Sequence, residues 1–364
     1  MNQIEIDSTD VIEKEKLIQS GEKHYSEMLT KETLPSAEYL ALFEAACDLN
    51  IENMARDCLL LAFVLQKHYP NDITLVSLAR AGTPVGVILN SLLKTIFKSN
   101  SIHYSVSIVR DKGIDCTAIQ TILKKHTDTS IAFIDGWTGK GVISTELAKS
   151  IMQFNLENNT AIDSGLYVLA DLAGSAKWAA TTQDYLIPSS ILNATVSGLI
   201  SRSILNTHLD SHLIPNITKE DALFHGCYFY KEFIEHDQSL RFKDRVVDAA
   251  LRLYQNTYTE HNFIDFFENF RVPEFNPVTI KNISREFMQN ELKRQNLDDE
   301  NLIKPSIGEA TRVLLRRDAH LVLIRNKNSQ NVQHILQLAR EKNVPVEERP
   351  SLPYEAVSII KVKS

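Results

Sequence analysis

No apolar run in these 364 residues approaches the roughly 18 residues needed to cross a bilayer, so no helical membrane span is expected. The opening segment, MNQIEIDSTDVIEKEKL, is acidic and polar, which argues against a secretory signal. Only four cysteines occur, Cys47, Cys58, Cys116 and Cys227, and none forms a CxxC pair. That spacing argues against a disulfide framework and a structural zinc site, and a reducing cytoplasm is the expected compartment. Two nucleotide motifs are also missing. Gly136 and Gly139 lie too close together for the G-x-x-x-x-G-K-[ST] loop of ATP-binding proteins, and Gly141 follows Lys140 where that loop needs Ser or Thr for magnesium. No G-x-G-x-x-G dinucleotide fingerprint is present, nor any internal repeat or low-complexity tract.

What is present is an ordinary soluble composition, 43% hydrophobic and 23% charged, with length enough for two or three domains. The net charge of -7 is unevenly spread. Residues 301–364 carry 11 Lys or Arg against 6 Asp or Glu, whereas residues 1–300 carry 28 against 40. A basic tail on an acidic body points to an anionic partner for the tail, although a solvated surface accounts for five charges equally well.

The pattern divides the chain into a polar lead-in (1–35), a main α/β domain (36–275), a charged helical linker (276–303) and a small tail domain (304–364). Helical periodicity runs over 36–68, with a break expected near Asn50. Strands are then expected at 73–79, 103–109, 130–135 and 165–173, and helices at 84–97, 115–126 and 141–154. That alternation indicates a doubly wound parallel sheet. Helices over 188–205, 219–236 and 241–258 are expected as a cap, and the two prolines of VPEFNPVT (272–279) mark a boundary. The tail reads as helix 307–317, strand 320–325, helix 330–342 and a last strand in YEAVSIIKV. A unit of about 60 residues is small enough to need support from its neighbour.

Ligands of open α/β sheets sit beyond the carboxyl ends of the strands. After the first strand comes ARAGTPVG, where Arg80 can grip a phosphate and Ala81, Gly82 and Thr83 present backbone N–H groups to it. After the second comes RDKGID, where Arg110, Asp111 and Lys112 form a charged loop. After the third comes FIDGWTGKG. Its Asp135 suits a ribose diol or a metal, and Thr138, Gly139, Lys140 and Gly141 suit a monophosphate at a helix N-terminus. After the fourth, Lys177, Trp178, Asp184 and Tyr185 offer stacking and edge contacts for a base-like acceptor. Each group taken singly is equally an ordinary turn, or in the case of the aromatics a piece of core.

Taken together, SLARAGTP and FIDGWTGKG resemble the phosphoribosyltransferase superfamily of the orotate type, with Gly136 standing where a second acid is usual. That resemblance implies a phosphoribosyltransferase-like parallel-sheet domain and a magnesium-dependent transfer from phosphoribosyl pyrophosphate. Arg80 to Thr83 would hold pyrophosphate, Asp135 the ribose and the metal, and Arg110 and Lys112 the developing charge. LARAGTPVG, HYSVSIVRDKGID, DYLIPSSILNATVSGLISR and KPSIGEATRVLLRR, in this order, are similar to the StiP-type proteins of tellurite-resistance (Ter) stress operons. Within that likeness, KPSIGEATRVLLRR resembles the helix-strand core of Pelota-type RNA-binding domains. The likeness implies RNA contacts through Lys304, Glu309, Thr311, Arg312 and Arg316. On the helix, Ile307, Ala310, Val313 and Leu314 share one face, opposite Glu309, Arg312 and Arg316.

The alternative reading is a non-catalytic sensor of a nucleotide or sugar phosphate that also binds RNA. A homo-oligomer is left open, and no membrane partner is expected. The family label also suggests a cysteine protease. Cys47 and Cys58 read as core, and Cys227 lies two residues from His225 in a segment read as helix, where that spacing points the side chains apart. Cys116 follows RDKGID, near the expected site. A cysteine protease is therefore the least favoured of the three readings.

Overall fold

The structure, a computed structural model, describes residues 1–205, 224–260 and 276–362. In chain order the elements begin with β1 (Asn2–Gln3), α1 (Val11–Gln19), α2 (Ala37–His68), β2 (Asp72–Ala79), α3 (Gly82–Ile96), β3 (Asn100–Val109) and β4 (Gly113–Ile114). They continue with α4 (Cys116–Leu123), β5 (Ile131–Thr138), α5 (Val142–Asn158), β6 (Leu166–Asp171), β7 (Trp178–Thr181), β8 (Gly226–Cys227) and α6 (Ser239–Glu260). The last part holds α7 (Pro277–Gln295), β9 (Ile303–Pro305), α8 (Ile307–Arg316), β10 (Ala319–Ile324), α9 (Gln333–Glu341), β11 (Val346–Glu348) and β12 (Ala356–Ile360). Among the described residues no helix is long and apolar enough to cross a membrane.

The main sheet has the order β4-β3-β2-β5-β6-β7 and is parallel apart from the antiparallel β3–β4 edge. Helices cover both faces, so the central strands are buried on both sides: every residue of β5 is buried. The first strands and helices fall within a few residues of expectation. The break near Asn50 does not occur. Residues 37–68 form one helix, started by Ser36 accepting the Tyr39 N–H at 3.2 Å, and Asn50 spends its amide on Asn331 Oδ1 at 2.8 Å. Residues 188–205 are not helix either. Short 3₁₀ turns at Pro188–Ser190 and Ala194–Val196 hold an otherwise irregular, largely buried segment. The helix expected at 219–236 lies in part outside the described residues; from 224 onward it is β8 followed by a 3₁₀ helix, Lys231–His236. Residues 272–275 of the boundary segment also lie outside them.

The polar opening segment does not stand apart. β1 pairs in parallel with β8, Ile4, Met28 and Leu29 are buried, and α1 reaches the tail domain through a Glu15–Arg317 ion pair. The tail sheet has the order β11-β10-β12-β9. Strands β9 and β11, three residues each, escaped the sequence pattern because a run so short carries no periodicity.

The tail domain is fused to the body rather than tethered to it. Ile307, Ala310 and Leu314 of α8 belong to the same apolar cluster as Ile134 and Trp137 of β5 and Leu89 of α3. Gly308 permits the approach: a Cβ there would lie 2.4 Å from the Trp137 ring. Asp184 fastens it, its carboxylate accepting the N–H groups of Ile307 at 3.1 Å and Glu355 at 2.8 Å. Replacing Asp184 with Ala strands both donors. Urea denaturation is expected to show a loss of about 2 kcal/mol, with Asp184→Asn, which keeps an acceptor, losing less.

Candidate functional site

The carboxyl ends of β2, β3 and β5 open into a cavity of about 790 Å³, closed on its far side by β9, α8 and the α1 segment. The body contributes Lys14, Tyr25, Ala81, Arg110, Asp135, Thr138 to Gly141 and Arg202, and the tail domain contributes Lys304, Glu309, Arg312, Arg316 and Arg317. Eight of its lining residues are Lys or Arg and four are Asp or Glu. The cavity therefore favours an anion.

Its charges are unequally spent. Arg312 pairs with Glu309 at 2.9 Å and lies 4.6 Å over the Trp137 ring. Arg317 pairs with the fully buried Glu15. Arg110 donates to Asn301 at 3.1 Å, and Lys140 to the Glu300 carbonyl at 2.7 Å. Lys14, buried beside Thr30, is lowered to about 8 by burial and by the neighbouring Arg202 and Arg317. Lys304 is lowered to about 7 by burial and by Lys140. Arg202 gives one amino group to the Met28 carbonyl, while its Nη1 is buried without a partner among the described residues. The Arg316 Nε is likewise buried and unpartnered. Burial, then Arg80, disfavours the charge on Arg316; Arg312 and Arg202 add to this.

Several residues singled out from the sequence come together here: Ala81, Arg110, Asp135, Thr138, Gly139, Lys140, Gly141, Lys304, Glu309, Arg312 and Arg316. Some are already engaged. The Thr138 hydroxyl donates to Asp171, a fully buried carboxylate that also accepts the N–H groups of Ser175 and Ala176 at 2.9 Å. Arg80 lies at the adjoining edge, where it pairs with Glu32 at 2.5 Å and donates to the Ile200 carbonyl at 2.7 Å. Gly82 packs on β5, where a Cβ would stand 2.5 Å from the Ile134 carbonyl oxygen, and Thr83 bonds Ser105 at 2.6 Å. Asp111 accepts from Arg110 at 3.1 Å, and Lys112 stands near His24.

Other residues are not brought together. Lys177 pairs with Asp163, Trp178 packs in the core, Tyr185 is enclosed beside Asp57, and Asp184 holds the tail domain. Thr311 is fully buried between the Ile307 carbonyl and His334, each at 2.7 Å, so it is not available to RNA. Lys14, Tyr25, Glu32, Arg202 and Arg317 were missed. Nothing in the local pattern marks them, because they converge only when the opening segment and residues 200–202 fold against the sheet.

A resident magnesium does not fit the cavity. Among the described residues no group of three His, Cys, Asp or Glu could hold a metal. Asp135 uses one oxygen to accept the Gly136 N–H at 2.8 Å. Burial raises its pKa to about 7, against the lowering effects of that bond and of Arg312.

The four cysteines lie apart from one another, in α2, α4 and β8. Burial holds the Cys47 and Cys58 thiols in the core, and Cys116, at the first position of α4, is exposed. Cys227 is buried in β8, and burial raises its thiol. His225 immediately precedes that strand. Its Nδ1 lies 2.6 Å from Ser107 Oγ, and its backbone N–H donates to Asp115 at 2.8 Å. This segment is extended rather than helical: the His225 and Cys227 carbonyls accept the Asn2 and Ile4 N–H groups, each at 2.8 Å, and alternate residues of extended chain share a face. The helical argument against this pair is thereby corrected.

A model of the family described as "Tellurite-like stress resistance cysteine protease StiP" matches residues 1–247, and one described as "PELOTA RNA binding domain" matches residues 282–362. The protein named "Cysteine protease StiP" from Acinetobacter baylyi (strain ATCC 33305 / BD413 / ADP1) is 38% identical over 361 residues, covering 98% of this chain and 89% of that protein. These matches overturn the expectation of a phosphoribosyltransferase using phosphoribosyl pyrophosphate and magnesium, since the family model and the relative are both named for a cysteine protease. The same names favour the cysteine-protease reading, the least favoured of the three from the residues alone.

Two outcomes test the cavity. Asp135 has its pKa raised above the unfolded value, so its ionisation costs stability as pH rises from about 4 through 7. Asp135→Asn is expected to stabilise the protein more at pH 8 than at pH 5 in urea melts. Gly308→Val is expected to force α8 off Trp137, costing about 1–3 kcal/mol and exposing the seam to limited proteolysis.

Proposed function

We propose, for a chain that belongs to the family of tellurite-like stress resistance cysteine proteases named StiP, that it is a thiol peptidase with Cys227 as nucleophile and His225 as base. The observation that supports the assignment of residues is the extended chain at 225–227, both of whose outer carbonyls bond the opening segment, with Ser107 Oγ 2.6 Å from the His225 Nδ1. In the reaction the thiol proton passes to the imidazole and the thiolate attacks the peptide carbonyl carbon. The C–N bond breaks as the amine takes that proton, and water then hydrolyses the thioester. Asp115, bonded to the His225 backbone, keeps the segment in register with α4.

Burial raises the Cys227 thiol and lowers His225, so the uncharged pair predominates near neutrality. The thiolate fraction therefore grows with pH. Iodoacetamide is expected to modify exposed Cys116 first and Cys227 faster at pH 9 than at pH 7, read by mass spectrometry. Peptide hydrolysis should vanish in Cys227→Ala and His225→Ala and survive in Cys116→Ser. Hydrolysis unchanged by Cys227→Ala rejects the assignment.

The domain at 282–362 supports RNA as a partner, reached through Lys304, Arg312 and Arg316, whose side chains face the cavity. Free thiols at all four positions suit a reducing cytoplasm. Filter binding of a structured RNA by the full chain is expected to weaken in Arg312→Glu with Arg316→Glu; unchanged affinity rejects RNA contact through α8.

A further inference from the structure

We infer that the inner corner of the cavity, between the α1 segment and α8, is a binding site for a phosphate group carried by a ligand of nucleotide size. The corner gathers Lys14, Arg202, Arg316 and Arg317 on the cavity wall, with the Lys14 Nζ 3.5 Å from the Arg316 carbonyl, and Arg80 joins Arg316 at the adjoining edge. Their counter-ions are Glu15, held by Arg317, and Glu32, held by Arg80. Five cations against two carboxylates leave an excess of three positive charges, in a place where burial makes like charge costly. Folding of the described residues alone does not explain that excess, because among them Lys14, Arg202 and Arg316 have no carboxylate of their own in an ion pair.

Two unspent donors point the same way. Arg202 Nη1 and Arg316 Nε are buried with no acceptor among the described residues. Buried guanidinium N–H groups rarely stay unpaired, and a phosphate dianion supplies both the acceptors and the missing charge. The two arginines come from different domains, so a bound phosphate would bridge the body and the tail.

The size of the cavity limits the ligand. A volume of about 790 Å³ lies in the range of small-molecule and cofactor sites and is too small for a double helix. The shared chemistry is a phosphate ester, which comes either from a free nucleotide or from the end of a single RNA strand. The site does not depend on the thiol pair, and it meets the RNA reading only in where a strand would terminate.

The test uses the full chain in calorimetric titrations with adenosine 5′-monophosphate, a 5′-phosphorylated ribotrinucleotide and the same trinucleotide without its phosphate. Binding of the monophosphate assigns the site to free nucleotides. Binding of the phosphorylated trinucleotide alone assigns it to RNA ends. In either case affinity is expected to fall at least about tenfold in Arg202→Gln and in Arg316→Gln and to hold in Arg245→Gln, a surface residue paired with Glu44 and Asp48. Affinity of the unaltered chain should also fall as salt is raised, a readout that needs no variant to fold. No binding of either phosphorylated probe, equal binding of the unphosphorylated trinucleotide, or affinity indifferent to Arg202, Arg316 and salt overturns the inference. Loss of structured-RNA binding with monophosphate binding intact would fail the RNA reading and leave this one standing.

Discussion

The seating of α8 on the end of β5 is the contact on which the rest of the molecule depends. It combines the absence of a side chain at Gly308, the face of Trp137 beneath it and the Asp184 carboxylate holding the first turn. Remove any of these and the tail domain loses its registration with the sheet. With them in place, α8 presents its polar side to the strand ends, and a ridge that would otherwise face solvent becomes a cavity wall. Arg312, stacked over Trp137 and paired with Glu309, belongs to both the seam and the cavity.

The same seating sets the electrostatics. The tail domain is basic and the body acidic by residue count, yet the cations that meet in the cavity come from both. Lys14 and Arg202 arrive from the body, Lys304, Arg316 and Arg317 from the tail. Their crowding is opposed by only a few carboxylates, chiefly Glu15 and Glu32, each already committed to one arginine. A polar opening segment that looks like a lead-in thus closes the site, because α1 delivers Lys14 and Glu15 to the tail domain. The thiol cluster at β8 is separately built. It rests on Ser107 at the end of β3 and on Asp115 at the start of α4, so the body holds that cluster without the tail.

Much of the fold was legible from the chain alone. The strands at β2, β3, β5 and β6 and the helices between them follow from apolar runs of the right length and period. The loops at 80–83, 110–112 and 135–141 were found because a parallel sheet places its ligands beyond strand ends. Where periodicity was weak, the reading failed. Residues 188–205 contain enough apolar residues for a helix, but they are buried as irregular chain, their register set by contacts such as the Glu32 carboxylate on the Ala194 N–H at 2.9 Å. His225 and Cys227 were read in a helical frame, and one change of backbone state reversed which way they face.

What the sequence by itself determined is the class of the body, the presence of a small basic α/β tail and the polar side of its helix, all properties set by spacing within a dozen residues. What only the tertiary structure decided is where that side points, which arginines it meets, and that Asp184 and Thr311 serve packing rather than a ligand. Those outcomes rest on contacts between residues more than a hundred positions apart, such as Asp184 with Ile307 and Glu15 with Arg317. A local pattern fixes a residue's secondary structure and its face. The partner it meets is set by how whole elements dock, and that depends on every apolar surface the chain must bury at once.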